Sequence, residues 1–180
     1  MSAQELPFWI HLDDGIQAAS LSFYEALSYS QTYEVIGGAA QFRTLDGTGV
    51  KQQNWAKLKT TVSGEGGLPV GLSGLDYSDT LILKCGAPRA ISSTNNVIVI
   101  PANRRTDTPY LPTARKRIDG YLVPAVVNMI GNTATVVLDA AADTYSVMYY
   151  PQIEVLMNDP NESYSIGSSS SGWSFTAEER

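Results

Sequence analysis

Short runs of alternating apolar and polar residues, separated by glycine, proline and asparagine, recur along this chain. In residues 57–62, Leu58 and Val62 share one side of the alternation, while Lys57 and Lys59 share the other. Side chains of a β-strand point alternately to the two faces of a sheet, so this spacing predicts a strand with one buried face and one exposed face. Similar runs, many of them rich in β-branched residues, predict about nine strands in all.

The clearest local signal is the dipeptide Asp46-Gly47, which lies between strand-like runs at residues 40–44 and 50–53. An Asp-Gly pair adopts the positive backbone dihedral that a tight hairpin turn requires. This segment therefore predicts a β-hairpin.

Turns and loops separate the other predicted strands. Those strands are at residues 20–34, 80–85, 96–100, 122–130, 134–138, 145–157 and 173–177. Gly131-Asn132 is predicted to form a turn. Residues 63–77 and 103–117 are predicted to be loops, because glycine or proline interrupts both segments.

The spacing of these signals indicates the fold class. Turn signals fall about every eight to twelve residues, which is typical of β-sandwiches and β-barrels. The prediction is an all-β fold with at most one short helix, over residues 23–27. The length suits a single domain spanning residues 1–180. We expect residues 1–15 to form an N-terminal arm and residues 165–172, which are rich in serine, to form a flexible loop.

Composition narrows the class of protein further. No run of about 18 apolar residues is present, so no membrane span is predicted. The N-terminus lacks a basic segment followed by an apolar core, which predicts no signal peptide. Cys85 is the single cysteine, so an intrachain disulfide is excluded and a reducing compartment is favoured. We expect synthesis in the cytoplasm.

The net charge of −6 is unevenly distributed along the chain. Residues 121–180 contain seven acids and one base, whereas five bases fall between residues 104 and 117. A basic segment of an acidic protein can pair with an acidic face of a neighbouring copy. The other interpretation is a solvated loop. A nucleic-acid site is disfavoured, because the overall balance is acidic and no aromatic residues interleave with the bases.

Residues typical of catalytic sites are scarce. His11 is the single histidine, Cys85 lies in a predicted core strand, and no G-x-S-x-G motif is present. One histidine and one cysteine do not make a zinc site, and the glycine-rich segment 64–74 lacks the ending of a phosphate-binding loop. A pair of facing carboxylates, as in glycosidases, stays open, since most acids fall in predicted turns but their mutual positions are not evident from sequence. We predict no enzyme, no metal and no cofactor.

Several short segments resemble tail proteins of long-tailed bacteriophages of the siphophage type. The segments are QQNW at residues 52–55, TTVSG at 60–64, LDYS at 75–78, APR at 87–89, RRTD at 104–107, YYP at 149–151 and WSFTAEE at 173–179. Together they cover most of the chain from about residue 40 onward. The first forty residues contribute little to this resemblance.

The resemblance implies a structural subunit near the tail tip, such as a distal tail protein, with a two-sheet β-sandwich or barrel of the tail-tube type. Such proteins close into rings, usually hexameric, around a DNA channel and join the tail tube to the baseplate. The expected location is the virion tail, and the expected partners are further copies, tube proteins and baseplate proteins. DNA would pass through without sequence-specific binding. This chain looks too short for the additional carbohydrate-binding or oligosaccharide-binding-type domain of some members, which argues against direct receptor binding.

Ring assembly by strand pairing uses exposed sheet edges and loops that reach a neighbour. We expect the hairpin region 41–63 and the loop 63–77 to serve this purpose, and the acidic residues 121–180 to line the channel and repel phosphates. The predicted interface residues combine aromatic, basic and loop positions. They are Trp55, Lys57, Lys59, Leu68, Pro69, Tyr77, Arg104, Arg105, Arg115, Lys116, Arg117 and Trp173.

Other functions stay open beside the distal tail protein. The chain is alternatively a major tail-tube subunit, present in many stacked rings, or a tail terminator. A different class is a β-sandwich module that binds glycans through exposed aromatic residues. The tyrosines considered for such a surface are Tyr24, Tyr29, Tyr33, Tyr149, Tyr150 and Tyr164. A cell-wall hydrolase of the virion is the least favoured class, because histidines are lacking.

Overall fold

The structure is a computed structural model and describes residues 10–21 and 28–180. The all-β prediction is confirmed: over these residues the chain forms seventeen strands and one short 3-10 helix, Gly71–Gly74. In chain order the strands are β1 Ile10–Asp13, β2 Ala18–Leu21, β3 Ser28–Ile36, β4 Ala39–Arg43, β5 Gly49–Gln53, β6 Lys57–Gly66, β7 Leu81–Lys84, β8 Arg89–Ser93, β9 Val97–Val99, β10 Thr113–Ile118, β11 Tyr121–Ala125, β12 Val127–Ile130, β13 Thr133–Val136, β14 Thr144–Tyr149, β15 Gln152–Met157, β16 Asn161–Ser165 and β17 Ser170–Glu179.

The strands form four hydrogen-bonded sheets. The largest has the order β2-β1-β7-β15-β17-β6-β3, with β16 paired to β17 outside this order. A four-stranded sheet has the order β11-β10-β14-β8, a three-stranded sheet has the order β12-β13-β9, and β4 and β5 pair alone. The described strands thus form more hydrogen-bonded sheets than the two that were expected.

Two compact units make up the chain. The segmented unit consists of His11–Ile82 and Glu154–Arg180, and the inserted unit spans Leu83–Ile153, with Ile10 also assigned to it. No linker announces this division in the sequence, because the inserted unit begins within β7 and ends within β15. Strands form both units. That the two units behave as one domain stays a prediction.

The segmented unit has its core on one face of β6 and β17. Along β6, Leu58, Thr60 and Val62 are buried while Thr61 and Ser63 are exposed, which confirms the predicted alternation. The buried face of β17 carries an aromatic pair, Trp173 and Phe175, whose rings stack with centroids 6.1 Å apart. Burial of these apolar side chains is the main stabilising contribution in this unit.

The inserted unit has a separate core between its two sheets. Its most buried members come from β9, β10, β13 and β14 and their ends: Ile98, Ile100, Ala114, Ala134, Val136, Tyr145, Val147 and Tyr149. The Tyr145 hydroxyl donates to the Asp139 carbonyl oxygen and accepts from the Asp139 backbone N–H, both at 3.0 Å. The phenol is therefore fully satisfied inside the core.

Residues 103–117 are not the long polar connection that their composition predicts. Their last part is β10, which lies between β11 and β14 and pairs with both. Basic residues occupy three consecutive positions of this strand, so the sequence shows no regular alternation of apolar and polar residues. The structure nevertheless buries Ala114 between two exposed neighbours. Lys116, which shares the inner face with Ala114, ion-pairs with Asp139, so a base is tolerated there.

Two predicted long strands are each broken into two. Residues 122–130 divide at Val126 into β11 and β12, which belong to different sheets. Residues 145–157 divide at Tyr150-Pro151 into β14 and β15. Proline cannot donate to a strand ladder, so Pro151 interrupts the pairing of this second pair. The break at Val126 was not evident from residue types.

The predicted ends of the chain also differ from the structure. Residues 1–9 and the possible helix at 23–27 lie outside the described residues. Ile10–Asp13, expected to belong to an arm, is instead strand β1 of the largest sheet. The serine-rich segment 165–172 contains the turn of the β16–β17 hairpin, at residues 166–169, and the strand ends beside it, and Ser171 is buried.

Candidate assembly surface

The hairpin β4–β5 forms a sheet of its own, as Asp46-Gly47 predicted. Gly47 has a φ of +84°, the left-handed conformation that glycine adopts without steric cost. The Asp46 carboxylate accepts hydrogen bonds from the Thr44 hydroxyl and from the Thr48 backbone N–H, the latter at 3.1 Å. These bonds define the turn and lower the pKa of Asp46, the Thr44 bond most of all.

The two faces of this hairpin differ in character. Phe42 lies directly opposite Val50 in the register, and Ala40 lies opposite Gln52, so one face is mainly apolar. The other face carries Gln41, Arg43, Lys51 and Gln53. Phe42 is 50% exposed and Leu45, at the tip, is fully exposed. An isolated two-stranded sheet is marginally stable in water unless its apolar face is covered.

The base of the hairpin is packed around Trp55. A Cβ atom at Gly38 would lie 2.7 Å from the Trp55 Nε1 atom, and one at Gly37 would lie 2.3 Å from the Trp55 carbonyl oxygen. The Asn54 backbone N–H donates to the Gly38 carbonyl oxygen at 2.9 Å. Only glycine permits this close approach at residues 37 and 38.

The basic segment of the sequence does not form one surface. Arg104 donates to the carbonyl oxygens of Pro101 and Gly131 and to the Asn132 side chain, at 2.6–2.8 Å. It therefore ties two turns of the inserted unit together. These contacts give Arg104 a structural role that does not require a neighbouring copy.

Arg105 was predicted to contact a neighbour, and this prediction is wrong. Its side chain is fully buried, ion-pairs with Asp107 at 2.5 Å and donates to the Cys85 carbonyl oxygen at 3.0 Å. The guanidinium also lies 3.4 Å from the centroid of the Tyr110 ring. Burial alone would raise the pKa of Asp107, but the hydrogen bonds and charge of Arg105 outweigh it, so the pKa is lowered. A buried charge requires such partners.

The remaining bases of this segment separate by face. Lys116 points inward to Asp139, whereas Arg115 and Arg117 are exposed on the opposite face of β10. Arg117 donates weakly to the Gly120 carbonyl oxygen at 3.4 Å. Arg115 and Arg117 therefore remain available to a partner.

Two lysines of the predicted interface make contacts within the segmented unit. Lys57 donates to the Arg180 carbonyl oxygen at 2.6 Å, and Lys59 ion-pairs with Glu178 at 2.9 Å. The hydrogen bond from Lys59 to the Glu178 carboxylate and the negative charge of Glu178 raise the pKa of Lys59. Both lysines are half-buried, so only part of each side chain is available to a neighbour.

The other predicted interface residues also divide between surface and core. Trp55, Leu68 and Pro69 are exposed, as an interface requires. Trp173 is 3% exposed and packs against Gly64, where a Cβ atom would lie 2.5 Å from the ring. The prediction that Trp173 contacts a neighbour is wrong, because its indole fills the core of the segmented unit.

Acidic residues of the C-terminal third are partly used inside the chain. Asp139 pairs with Lys116, Glu178 pairs with Lys59, and Glu179 accepts from the Leu58 backbone N–H at 2.8 Å. The others are exposed: Asp143, Glu154, Asp159 and Glu162.

Carboxylates elsewhere hold turns in place. Asp14 accepts from the backbone N–H groups of Gln17, Asp76 and Ile16, at 2.6–2.9 Å, and these bonds lower the pKa of Asp14. Asp76 accepts from both the hydroxyl and the backbone N–H of Ser78. Acids engaged in this way serve the local backbone, as their positions in predicted turns suggested.

Other candidate chemistry in the described part of the chain is limited. The His11 ring lies 2.7 Å from the Ser20 hydroxyl, and Cys85 is fully buried. Among the described residues, no three His, Cys, Asp or Glu side chains are grouped so that they can hold a metal ion. No helix in this part of the chain is long and apolar enough to cross a membrane.

Five of the six tyrosines considered for glycan stacking lie in the described part of the chain, and their exposure differs. Tyr149 is buried in the core of the inserted unit, and Tyr29, Tyr33 and Tyr150 are half-buried. Tyr164 is 55% exposed, and Tyr24 lies outside the described residues. A groove of about 620 Å³ in the segmented unit is lined mainly by serine and glycine, together with the half-buried Tyr29 and the buried Trp173.

Tyr77 closes the loop that follows β6. Its hydroxyl donates to the Leu72 carbonyl oxygen at 2.6 Å. Burial, with smaller contributions from the charges of Glu162, Asp159 and Asp14, raises the pKa of Tyr77 to about 12. Tyr77 thus has a structural role in addition to the predicted interface role.

Ionisation of Tyr77 is expected to reduce stability at high pH. The pKa in the folded chain, about 12, exceeds the ordinary value of 10.0, so the unfolded chain loses this proton first. Tyr77 therefore makes its full contribution to the free energy of unfolding below the pKa of the unfolded chain. This contribution is lost as pH rises from 10.0 to about 12. In denaturant titrations, Tyr77→Phe should lose less free energy of unfolding over this interval than the wild type. The control is Tyr164→Phe, and equal losses in both variants would contradict the prediction.

No protein-family model matches this sequence, and no curated protein matches it.

Proposed function

We propose that this chain is a structural subunit of a bacteriophage tail. In this proposal it forms a ring, a hexamer as is usual for such proteins, around the DNA channel and joins the tail tube to the baseplate, as a distal tail protein does. DNA passes through the ring without sequence-specific binding, and the protein is located in the virion tail after synthesis in the host cytoplasm. No catalytic step is part of the proposal.

The hairpin β4–β5 is the observation that carries this proposal. It pairs with no other strand of the described chain, and its apolar face is exposed. Burying that face against a neighbouring subunit would remove the weakness of an isolated hairpin. Gly37 and Gly38 contact Trp55 closely at the base of the hairpin. A base that is packed in this way restricts the hairpin before it binds a neighbouring subunit, which lowers the entropic cost of binding.

Strand β3 provides a second assembly element. It is nine residues long, lies at one end of the largest sheet and pairs only with β6 among the described strands. Glu34 is its only charged residue, and it contains no proline. Long edge strands without such protection tend to pair with another chain. Backbone pairing at β3 can therefore extend the sheet from one subunit to the next.

The alternative of a tail-tube subunit or tail terminator relies on the same two elements. These roles differ in how rings stack: a tube subunit forms many stacked rings, whereas a distal tail protein forms one. Negative-stain imaging of the assembled protein distinguishes them.

Replacement of Phe42 by aspartate is expected to weaken self-association at least about tenfold, because a carboxylate at the centre of the apolar face costs more than about 1.4 kcal/mol when buried. Light scattering across protein concentrations and ionic strengths, with negative-stain imaging, measures this effect. The wild type should form closed rings.

The matched control is Gln41→Asp, which places the same charge on the polar face of the same strand. It should assemble as the wild type does. A wild-type chain that stays monomeric under all these conditions, or equal weakening by both variants, would argue against the proposal.

A further inference from the structure

The three-stranded sheet β12-β13-β9 has two apolar faces. One faces the core of the inserted unit and carries Ile98, Ala134 and Val136. The other faces solvent. In register along this outer face, Ile130 lies beside Thr133 and Val99, and the next row joins Asn128, Thr135 and Val97.

This outer face is unusually apolar for a solvated surface. Five aliphatic side chains of this face are 50–73% exposed: Val97, Val99, Val126, Ile130 and Val137. Val126 and Val137 extend the face beyond the strands, and the Val137 backbone N–H donates to the Val126 carbonyl oxygen at 3.0 Å. The rest of the face is threonine and asparagine, without any charge. Antiparallel sheets normally carry polar side chains on the face that meets water, so these positions indicate a contact surface.

The chemistry of this outer face restricts its occupant. Because no charged group lies on the face, a charged partner would lose hydration there without gaining an ion pair. A flat, uncharged, β-branched sheet face is covered best by another apolar sheet face, as in sheet-on-sheet packing.

The same chain presents such a face on the hairpin β4–β5. Phe42 and Val50 lie directly opposite each other with Ala40 beside them, and no charged residue shares that face. Arg43 and Lys51 lie on the reverse face, where they would stay in water after docking. The hairpin therefore resembles the outer face in its lack of charge and its apolar side chains, and its strands of five residues are long enough to cover strands of three or four residues.

We propose that the apolar face of hairpin β4–β5 of one copy packs on the outer face of β12-β13-β9 of a neighbouring copy. The contact joins two different surfaces, so it is heterologous and closes into a ring when the rotation between copies permits. This inference rests on the proposed ring-forming function and names the surface that receives the hairpin. Stable interfaces bury about 1,200–2,000 Å² in total, so the contact would act together with pairing at β3.

Photo-crosslinking tests this contact directly. Phe42 is replaced by a photoreactive phenylalanine derivative in the full chain, and the protein is mixed with isotope-labelled wild type before irradiation. Mass spectrometry then shows which peptides are joined and whether they belong to different copies. We expect crosslinks between copies to peptides containing Val97, Val99 or Ile130.

A matched pair of variants tests the receiving surface separately. Val99→Asp places a charge on the outer face and is expected to weaken self-association at least about tenfold. Ala90→Asp places the same charge at an exposed position of β8 in the same unit and should leave self-association unchanged. Both positions are exposed, so both variants should unfold at the same denaturant concentration as the wild type.

The outcomes separate this inference from the proposed function. Rings that form normally with Val99→Asp, or crosslinks from position 42 to other surfaces, overturn the inference while the ring-forming function stands. Crosslinks confined to one copy also overturn it. A chain without any self-association overturns both. Crosslinks to the outer face between copies, together with weakening by Val99→Asp alone, support it.

Discussion

Replacing Asp107 by alanine is expected to lower the free energy of unfolding of the inserted unit by about 3 kcal/mol. The change leaves the Arg105 guanidinium, which is completely buried, without its anionic partner. Removing one member of a buried ion pair typically costs about 3–5 kcal/mol. We expect the lower end, because the Asp107 side chain is 26% exposed and because the Cys85 carbonyl oxygen and the Tyr110 ring remain as partners.

A double variant distinguishes an uncompensated charge from simple loss of contacts. Arg105→Met keeps an unbranched apolar side chain and removes the charge, so Arg105→Met combined with Asp107→Ala should be more stable than Asp107→Ala alone. Hydrogen exchange of the β10 and β14 amides measures the effect within the inserted unit. A double variant that is less stable than Asp107→Ala would show that the guanidinium stabilises the unit even without its carboxylate.

Substituting alanine for Gly64 is expected to destabilise the segmented unit by about 2 kcal/mol. The added Cβ atom would lie 2.5 Å from the Trp173 Cζ2 atom and 2.7 Å from the Ser28 carbonyl oxygen. Neither neighbour moves easily, since the indole is buried against Phe175 and the carbonyl oxygen belongs to the backbone of β3. Overpacking of this kind costs about 1–3 kcal/mol. Denaturant unfolding followed by tryptophan fluorescence measures the change.

Gly172→Ala is the matched control in the adjacent strand. Its Cβ atom would meet only the Ser163 hydroxyl oxygen, at 2.9 Å, and an exposed serine can rotate away. Alanine also restricts the unfolded chain more than glycine does, so the net change should stay within about 0.5 kcal/mol of zero. Similar losses at Gly64 and Gly172 would mean that contact with Trp173 does not decide the effect.

The hairpin and the outer face of β12-β13-β9 have a common physical basis for assembly. Each is a regular β surface whose apolar side chains remain in water within the chain. Exposed apolar area of this kind is unfavourable in proportion to its extent, and association removes it. In the assembly proposed above, this contact joins two different surfaces and so repeats from one copy to the next.

Local features of the fold were predictable from sequence. The Asp46-Gly47 turn follows from backbone conformations that these two residue types permit, and the alternation along β6 follows from the two-residue period of a strand. The all-β class follows from many such signals together. The predicted surface exposure of Trp55, Leu68 and Pro69 is also found.

Predictions about individual side chains were less accurate where distant residues decide the outcome. Arg105 and Trp173 were expected at a surface by residue type, but one is enclosed with Asp107 and Tyr110 and the other is packed on Gly64. The basic residues of β10 predicted a polar loop, but β10 is a central strand of its sheet. Lys116 can lie on its inner face because it pairs with Asp139, which is 23 residues away in sequence.

By itself, the sequence determined the strand period, the hairpin turn and the all-β class, because short-range backbone geometry governs all three. Only the tertiary structure decided which face of each strand is covered. That choice depends on long-range pairing: β17 lies beside β6, more than a hundred residues earlier in the chain. The same pairing left the hairpin and the outer face of β12-β13-β9 uncovered, since neither has a partner within the described chain on its apolar side.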